Sequence, residues 1–116
     1  MGGARLPLLD LPSLLNGDPP TPHWLIPGIL NKGAFVVLAG EPGVGKSFLS
    51  YTMALALASG RPFLGRTLEP SAVLYFDQEN SIQDVTAYVH WAWRGLGQPN
   101  IESMTTRLSL SHFTLQ

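Results

Sequence analysis

The chain has no cysteine, little charge and no run of basic residues, and each absence removes a class of function. Without cysteine there are neither disulfides nor thiolate metal sites, a composition that fits a reducing cytoplasm. Charged residues make up 13% of the 116, and the net charge is −1. The basic residues, Arg5, Lys32, Lys46, Arg61, Arg66, Arg94 and Arg107, are scattered, so no electrostatic footprint for nucleic acid is present. No apolar stretch is long enough to span a bilayer; the longest, around Phe48 to Ala58, carries Lys46 at its mouth. Near the start, Leu6, Leu8, Leu9 and Leu11 are interrupted by Pro7, Asp10 and Pro12, unlike the continuous apolar stretch of a secretory signal. His23, His90 and His112 lack metal-ligand spacing. The expectation is a soluble, cytoplasmic protein with no membrane contact and room for one domain at most.

What is present is concentrated in one place. Residues Gly40 to Ser47 read G-E-P-G-V-G-K-S, a full match to the phosphate-binding pattern G-x-x-x-x-G-K-[ST] (Walker A). A loop of this kind turns its backbone N–H groups toward the phosphates of a nucleotide. Lys46 would reach the β and γ oxygens, and the Ser47 hydroxyl would hold Mg²⁺. The candidate nucleotide site is therefore Gly40, Glu41, Pro42, Gly43, Val44, Gly45, Lys46, Ser47 and Phe48, with ATP and Mg²⁺ as its ligands.

Context strengthens the match. Ahead of the loop, Ala34-Phe-Val-Val-Leu-Ala39 is an unbroken apolar run suited to a strand buried on both faces. After it, about Gly45 to Ser59 is rich in Ala and Leu and stops at Gly60 and Pro62. Apolar residues lie nearly all round this helix, which predicts cover on most sides. A loop over Arg61 to Ser71 leads to a second buried-type strand, Ala72 to Phe76, ending in Asp77-Gln78-Glu79-Asn80. Strand, crossover helix and strand imply a right-handed βαβ unit with parallel strands.

Ser81 and Asp84 suit a capping box opening a second helix over about Ser81 to Leu96. Ile82, Val85, Val89, Ala92, Trp93 and Leu96 form its packing stripe; His90 and Trp91 fall off it. Gly95, Gly97 and Pro99 end it, and the alternating Arg107 to Phe113 reads as a third strand. Residues 1–23, with Pro7, Pro12, Pro19, Pro20, Pro22 and Asn16-Gly17-Asp18, read as an extended or mobile lead-in. His23 and Trp24 read as a hydrophobic plug at the domain edge, or as a contact to a neighbour or a base. Ile26, Ile29 and Leu30 can pack, and Asn31-Lys32-Gly33 forms a turn into the first strand.

The succession L-I-P-G-I-L-N-K-G-A-F-V-V-L-A-G-E-P-G-V-G-K-S, then A-L-A-S-G-R-P-F-L-G, then V-L-Y-F-D-Q-E-N-S resembles RecA-type P-loop ATPases. The likeness runs from about Trp24 to Phe113 and is nearest to the branch of RepA-like hexameric helicases and related AAA family ATPases. It implies an α/β fold with a parallel sheet flanked by helices, ATP hydrolysis, assembly into a homo-oligomeric ring and, through that ring, work on DNA. It also implies that Glu79, after the second strand, polarises the water attacking the γ-phosphate, with Lys46 offsetting charge. The family's later elements, a Walker B aspartate and an arginine finger, are not found before Gln116. Residues 24–116 therefore resemble the N-terminal part of such a domain, and uncovered apolar faces are expected.

Some alternatives stay open at this level. Glu79 could simply favour the N-terminus of the second helix. Asp77 has the form of a Walker B carboxylate, a Mg²⁺ ligand if the chain is a P-loop kinase, but only a neighbour of Glu79 under the RecA-type resemblance. A module that holds nucleotide without turning it over is the non-enzymatic reading, and a fragment that does not fold is the last.

Overall fold

The computed structural model describes residues 6–32 and 45–112. The strand expected over Ala34 to Ala39, the loop residues Gly40, Glu41, Pro42, Gly43 and Val44, and Phe113 lie outside the described residues.

The lead-in is not wholly extended. Leu11–Leu15 form a short helix, α1. The Asp10 carboxylate caps it, accepting the backbone N–H of Ser13 at 3.3 Å and its hydroxyl at 2.6 Å. Pro12 fits this first turn because its missing N–H has no partner to lose. Residues 6–23 are nevertheless all exposed, so the helix rests on its cap and its own backbone hydrogen bonds without packing. Ile26, Ile29 and Leu30 pack as expected, and they do so from a small antiparallel hairpin that the sequence reading did not include, Trp24–Ile26 (β1) with Leu30–Asn31 (β2).

Lys46–Ser59 form the central helix, α2, one residue shorter than the sequence suggested because Gly45 is its N-cap. At the other end Gly60 has a φ of 77° and donates its N–H to the Ala56 carbonyl at 2.8 Å. That left-handed C-cap is the usual way a glycine ends a helix. Two core clusters meet on α2. Ile26, Ala56, Leu57, Phe63 and Leu68 pack on one side, tying the hairpin and the loop after α2 to it. Leu55, Ala58, Ala92 and Met104 pack on the other. The even spread of apolar residues around α2 thus has its expected consequence.

Val73–Asp77 (β3) and Leu108–His112 (β4) pair in parallel, from Val73 opposite Leu108 to Asp77 opposite His112. The crossover between them contains two helices, Ile82–Gly95 (α3) and Ile101–Thr105 (α4). Ser81 caps α3, its hydroxyl accepting the Asp84 N–H at 3.1 Å. The sequence reading omitted α4. Its signal is Asn100, whose side-chain oxygen accepts the Ser103 N–H at 2.9 Å and starts a helical turn right after Pro99.

Two burial expectations need correction. β3 is not buried on both faces: Val73 and Tyr75 turn inward, whereas Leu74 and Phe76 are about two-thirds exposed at 64% and 63%. An apolar run does not by itself reveal whether one face or two will be covered. Ile82 belongs to the helical stripe by spacing but, at the first position of α3, is exposed, whereas Val85 and Ala92 are buried. Among the described residues no helix is long and apolar enough to cross a membrane.

Candidate functional site

In a parallel sheet the crevice that receives ligands lies beyond the carboxyl ends of the strands. Here that end is Asp77, and the N-terminus of α2 faces it. Gly45, φ 90°, opens α2 with no side-chain cap. The first-turn N–H groups of a helix have no intrahelical acceptors, and with the helix dipole they favour an anion.

The geometry beyond β3 is set by Asp77, the one buried charged side chain among the described residues. Its Oδ1 accepts the backbone N–H groups of Glu79 and Asn80, both at 3.0 Å. Its Oδ2 accepts the Tyr51 hydroxyl at 2.5 Å and the Asn80 amide at 2.8 Å. Four donors on two oxygens offset the cost of burying a carboxylate. Burial pushes this carboxyl up, but the hydrogen bonds from Tyr51, Asn80 and the backbone outweigh it and hold the group below the usual aspartate range. The Tyr51 hydroxyl is pushed well above the ordinary tyrosine value, first by burial and then by donating to Asp77. Tyr75 is likewise raised by burial.

Asn80 links this knot to the helix. One proton of its amide goes to Asp77, and the other reaches the Ser47 hydroxyl at 3.2 Å. The backbone carbonyl of Asn80 is 2.7 Å from Nε2 of His112, at the end of β4. A carbonyl only accepts, so that nitrogen carries the proton, and His112 is a structural donor. Ser50 donates to the Ser47 carbonyl at 3.0 Å, so the Tyr75 hydroxyl donates to Ser50 at 2.7 Å. Strand ends and helix start are therefore joined by hydrogen bonds that leave the Glu79 carboxylate and Lys46 ammonium free of any hydrogen bond to the described residues.

Two clefts flank this junction. The larger, about 760 Å³, is lined by Gly45, Lys46, Ser47, Phe48, Glu79, Asn80, Tyr88 and Trp91. The smaller, about 460 Å³, includes Ser50, Tyr75 and Asp77. Lys46, Ser47, Glu79 and Asn80 border both. Of the sequence candidates, then, Gly45, Lys46, Ser47, Phe48 and Glu79 converge on one cleft, and Asp77 sits behind them. His23 lies apart, 3.5 Å from Glu69, and His90 is exposed. Among the described residues no cluster of three or more His, Asp or Glu could hold a metal on its own.

Sequence reasoning missed Asn80 and the tyrosines. Tyr51 stacks on Tyr75 with ring centres 4.3 Å apart, and on Tyr88 at 5.9 Å. The available signal was spacing: Phe48 and Tyr51 on α2, and Tyr88 and Trp91 on α3, are each three residues apart and so share a helix face.

The groups gathered here are of types that could hold a phosphate and a cation: a helix N-terminus with no side-chain cap, a lysine without a partner among the described residues, a hydroxyl, and a carboxylate nearby. No curated protein and no solved structure matches the chain. One family model, described as an AAA domain, matches residues 4–112.

Proposed function

The chain belongs to the AAA domain family, an ATPase-type, nucleotide-binding domain, and from that premise we propose that it binds Mg-ATP at the start of α2 and hydrolyses it. The observation carrying this reading is the convergence of Lys46, Ser47 and Glu79 on one cleft at the carboxyl end of a parallel strand pair.

In this reading the backbone from Gly40 to Phe48 cradles the phosphates. Lys46 brings its ammonium to the β and γ oxygens, and Ser47 offers its hydroxyl oxygen to the cation. Mg²⁺, when bound, offsets phosphate charge. Glu79 orients a water molecule and takes its proton; positioned general bases of this kind contribute about 10²–10⁴-fold. Its backbone is pinned by Asp77 while its side chain stays exposed in the cleft, the combination a general base needs. Asp77 is a positioning residue. With all four donors in place its oxygens are committed, which supports hydrolysis over a kinase in which Asp77 holds Mg²⁺ or activates an acceptor. The finer assignment, a RecA-like fold of RepA-like type working on DNA as a ring, rests on the resemblance of the residue pattern and is part of the same proposal.

The test is calorimetric titration of the chain with Mg-ATP beside Lys46→Ala. Saturable binding that the substitution weakens at least tenfold is expected. Equal binding by both proteins, or none by either, would remove the α2 start as the nucleotide site.

A further inference from the structure

The phosphate end of the larger cleft is polar, but its other wall is aromatic. Phe48, Tyr88 and Trp91 line the same cavity as Gly45, Lys46 and Ser47. This wall is the open end of a longer array. Tyr75, Tyr51 and Tyr88 stack in sequence with planes within 20° of parallel, closing on one another's faces. Trp91 breaks the stack. It meets Tyr88 at 6.0 Å and 76°, and Phe48 at 6.4 Å and 69°, both edge to face. An edge-to-face contact covers at most one face of one ring of the pair, and Trp91 is still 54% exposed and Phe48 39%. Two large aromatic side chains thus keep open apolar surface inside a cleft whose floor carries the phosphate-binding groups.

We propose that this wall is a nucleobase subsite, in which the base of the bound nucleotide stacks on Trp91 and Phe48, and that it selects by ring area and not by hydrogen-bond pattern. The inference rests on the phosphate reading above, because continuity of one cavity is what places base and phosphates in reach of each other. At about 760 Å³ the cleft falls within the size range of small-ligand sites. The polar groups among its described residues cluster around Lys46, Ser47, Glu79 and Asn80, at the phosphate end. The aromatic wall offers only the Tyr88 hydroxyl, which can donate or accept, and the Trp91 N–H. The first adapts to either purine, and the second can meet the ring-nitrogen acceptors that both purines carry, so neither requires one base over the other, whereas every base has a face to stack. Purines, with the larger face, bind more tightly than pyrimidines, and ATP and GTP bind alike.

The experiment compares inorganic triphosphate, ATP, GTP and CTP, each with Mg²⁺, against the wild type, Trp91→Ala, Trp91→Phe and Lys46→Ala by calorimetry. Trp91→Ala should weaken ATP and GTP about tenfold and leave inorganic triphosphate unchanged, as loss of one stacking partner implies. Trp91→Phe should restore most of the loss, and Lys46→Ala should weaken all four ligands. Several results overturn the proposal while leaving the phosphate site standing: ATP no tighter than inorganic triphosphate, ATP binding indifferent to Trp91→Ala, CTP equal to ATP, or a strong preference between ATP and GTP. Triphosphate binding that ignores Lys46→Ala, or no binding of any ligand, overturns the phosphate reading and the base subsite with it. Circular dichroism of Trp91→Ala separates lost stacking from lost fold.

Discussion

The two ends of α2 differ in residue type and do opposite things: Gly45-Lys-Ser-Phe48 opens the helix, and Ala54-Leu-Ala-Leu-Ala58 leads to its close. From Ala54 to Ala58 every side chain is buried, pressed between the two core clusters. From Gly45 to Phe48 the helix is exposed or half-exposed, uncapped, and bordered by clefts on both sides. The buried end fixes the helix so that the open end can present Lys46 and Ser47 without packing of their own. A site built at the tip of an anchored helix keeps its geometry while its side chains stay available to a ligand.

A crossed pair of substitutions would break that division if it is wrong. Glu79→Gln should lower ATP turnover about 10²–10⁴-fold, the contribution of a positioned general base. Nucleotide binding and the melting temperature should hardly move, because the carboxylate makes no hydrogen bond to the described residues. Leu55→Ala should do the reverse. Leu55 is 2% exposed, and emptying such a position costs about 2–5 kcal/mol. Turnover per folded molecule should remain near wild type. A large stability change in Glu79→Gln, or an altered rate per folded molecule in Leu55→Ala, would mean that the two ends are not separable. Unchanged turnover in Glu79→Gln would take that residue out of the mechanism.

The sequence made the buried end of α2 and the identity of the open end readable for different reasons. Burial followed from composition: a helix with Ala and Leu on every side has to be covered. The open end followed from a motif, G-x-x-x-x-G-K-S, whose chemistry is written in consecutive residues. Glu79 was legible through resemblance, since nothing local distinguishes it from a carboxylate favouring a helix N-terminus. The hydrogen-bonding roles of Asn80 and Tyr51 were not legible, although the aromatic face of α2 was open to a reading by spacing. Their roles depend on contacts to Ser47, 33 positions away from Asn80, and to Asp77, 26 positions from Tyr51. No short-range pattern encodes such contacts. The α1 and α4 helices escaped notice because each is only five residues, too short for periodicity, and announced only by its cap, Asp10 or Asn100.

Asp77 sits where the comparison is finest, a buried group serving the open end. Its carboxyl is held low in the folded state by Tyr51, Asn80 and two backbone donors despite burial. A depressed folded pKa gives stability that is fully present above the unfolded value, about 3.9 for aspartate, and is lost as pH falls through the folded value. Asp77→Asn removes this dependence and puts an amide donor among donors, costing about 1–3 kcal/mol near neutral pH. The gap between wild type and variant, followed by denaturant melts, should stay constant down to about pH 5 and narrow below about pH 4. A gap that does not change with pH would mean that the carboxylate charge is not what orders the Glu79–Asn80 turn.

The smallest contrast compares two glycines. Gly45 and Gly60 bracket α2, and both have a left-handed φ, 90° and 77°. Replacing either with alanine imposes the strain of a Cβ in that region, about 1–2 kcal/mol. Their surroundings differ. A Cβ on Gly45 meets nothing within 4 Å among the described residues, whereas one on Gly60 would lie 2.7 Å from Cγ of Pro70. A proline ring has no rotamer by which to step aside, so backbone must move as well. Gly60→Ala should therefore destabilise the protein by more than Gly45→Ala, with a difference of about 1 kcal/mol or above in denaturant melts, consistent with the cost of overpacking. Equal losses would show that Pro70 yields without cost and that the buried end of α2 is less tightly set than its core suggests.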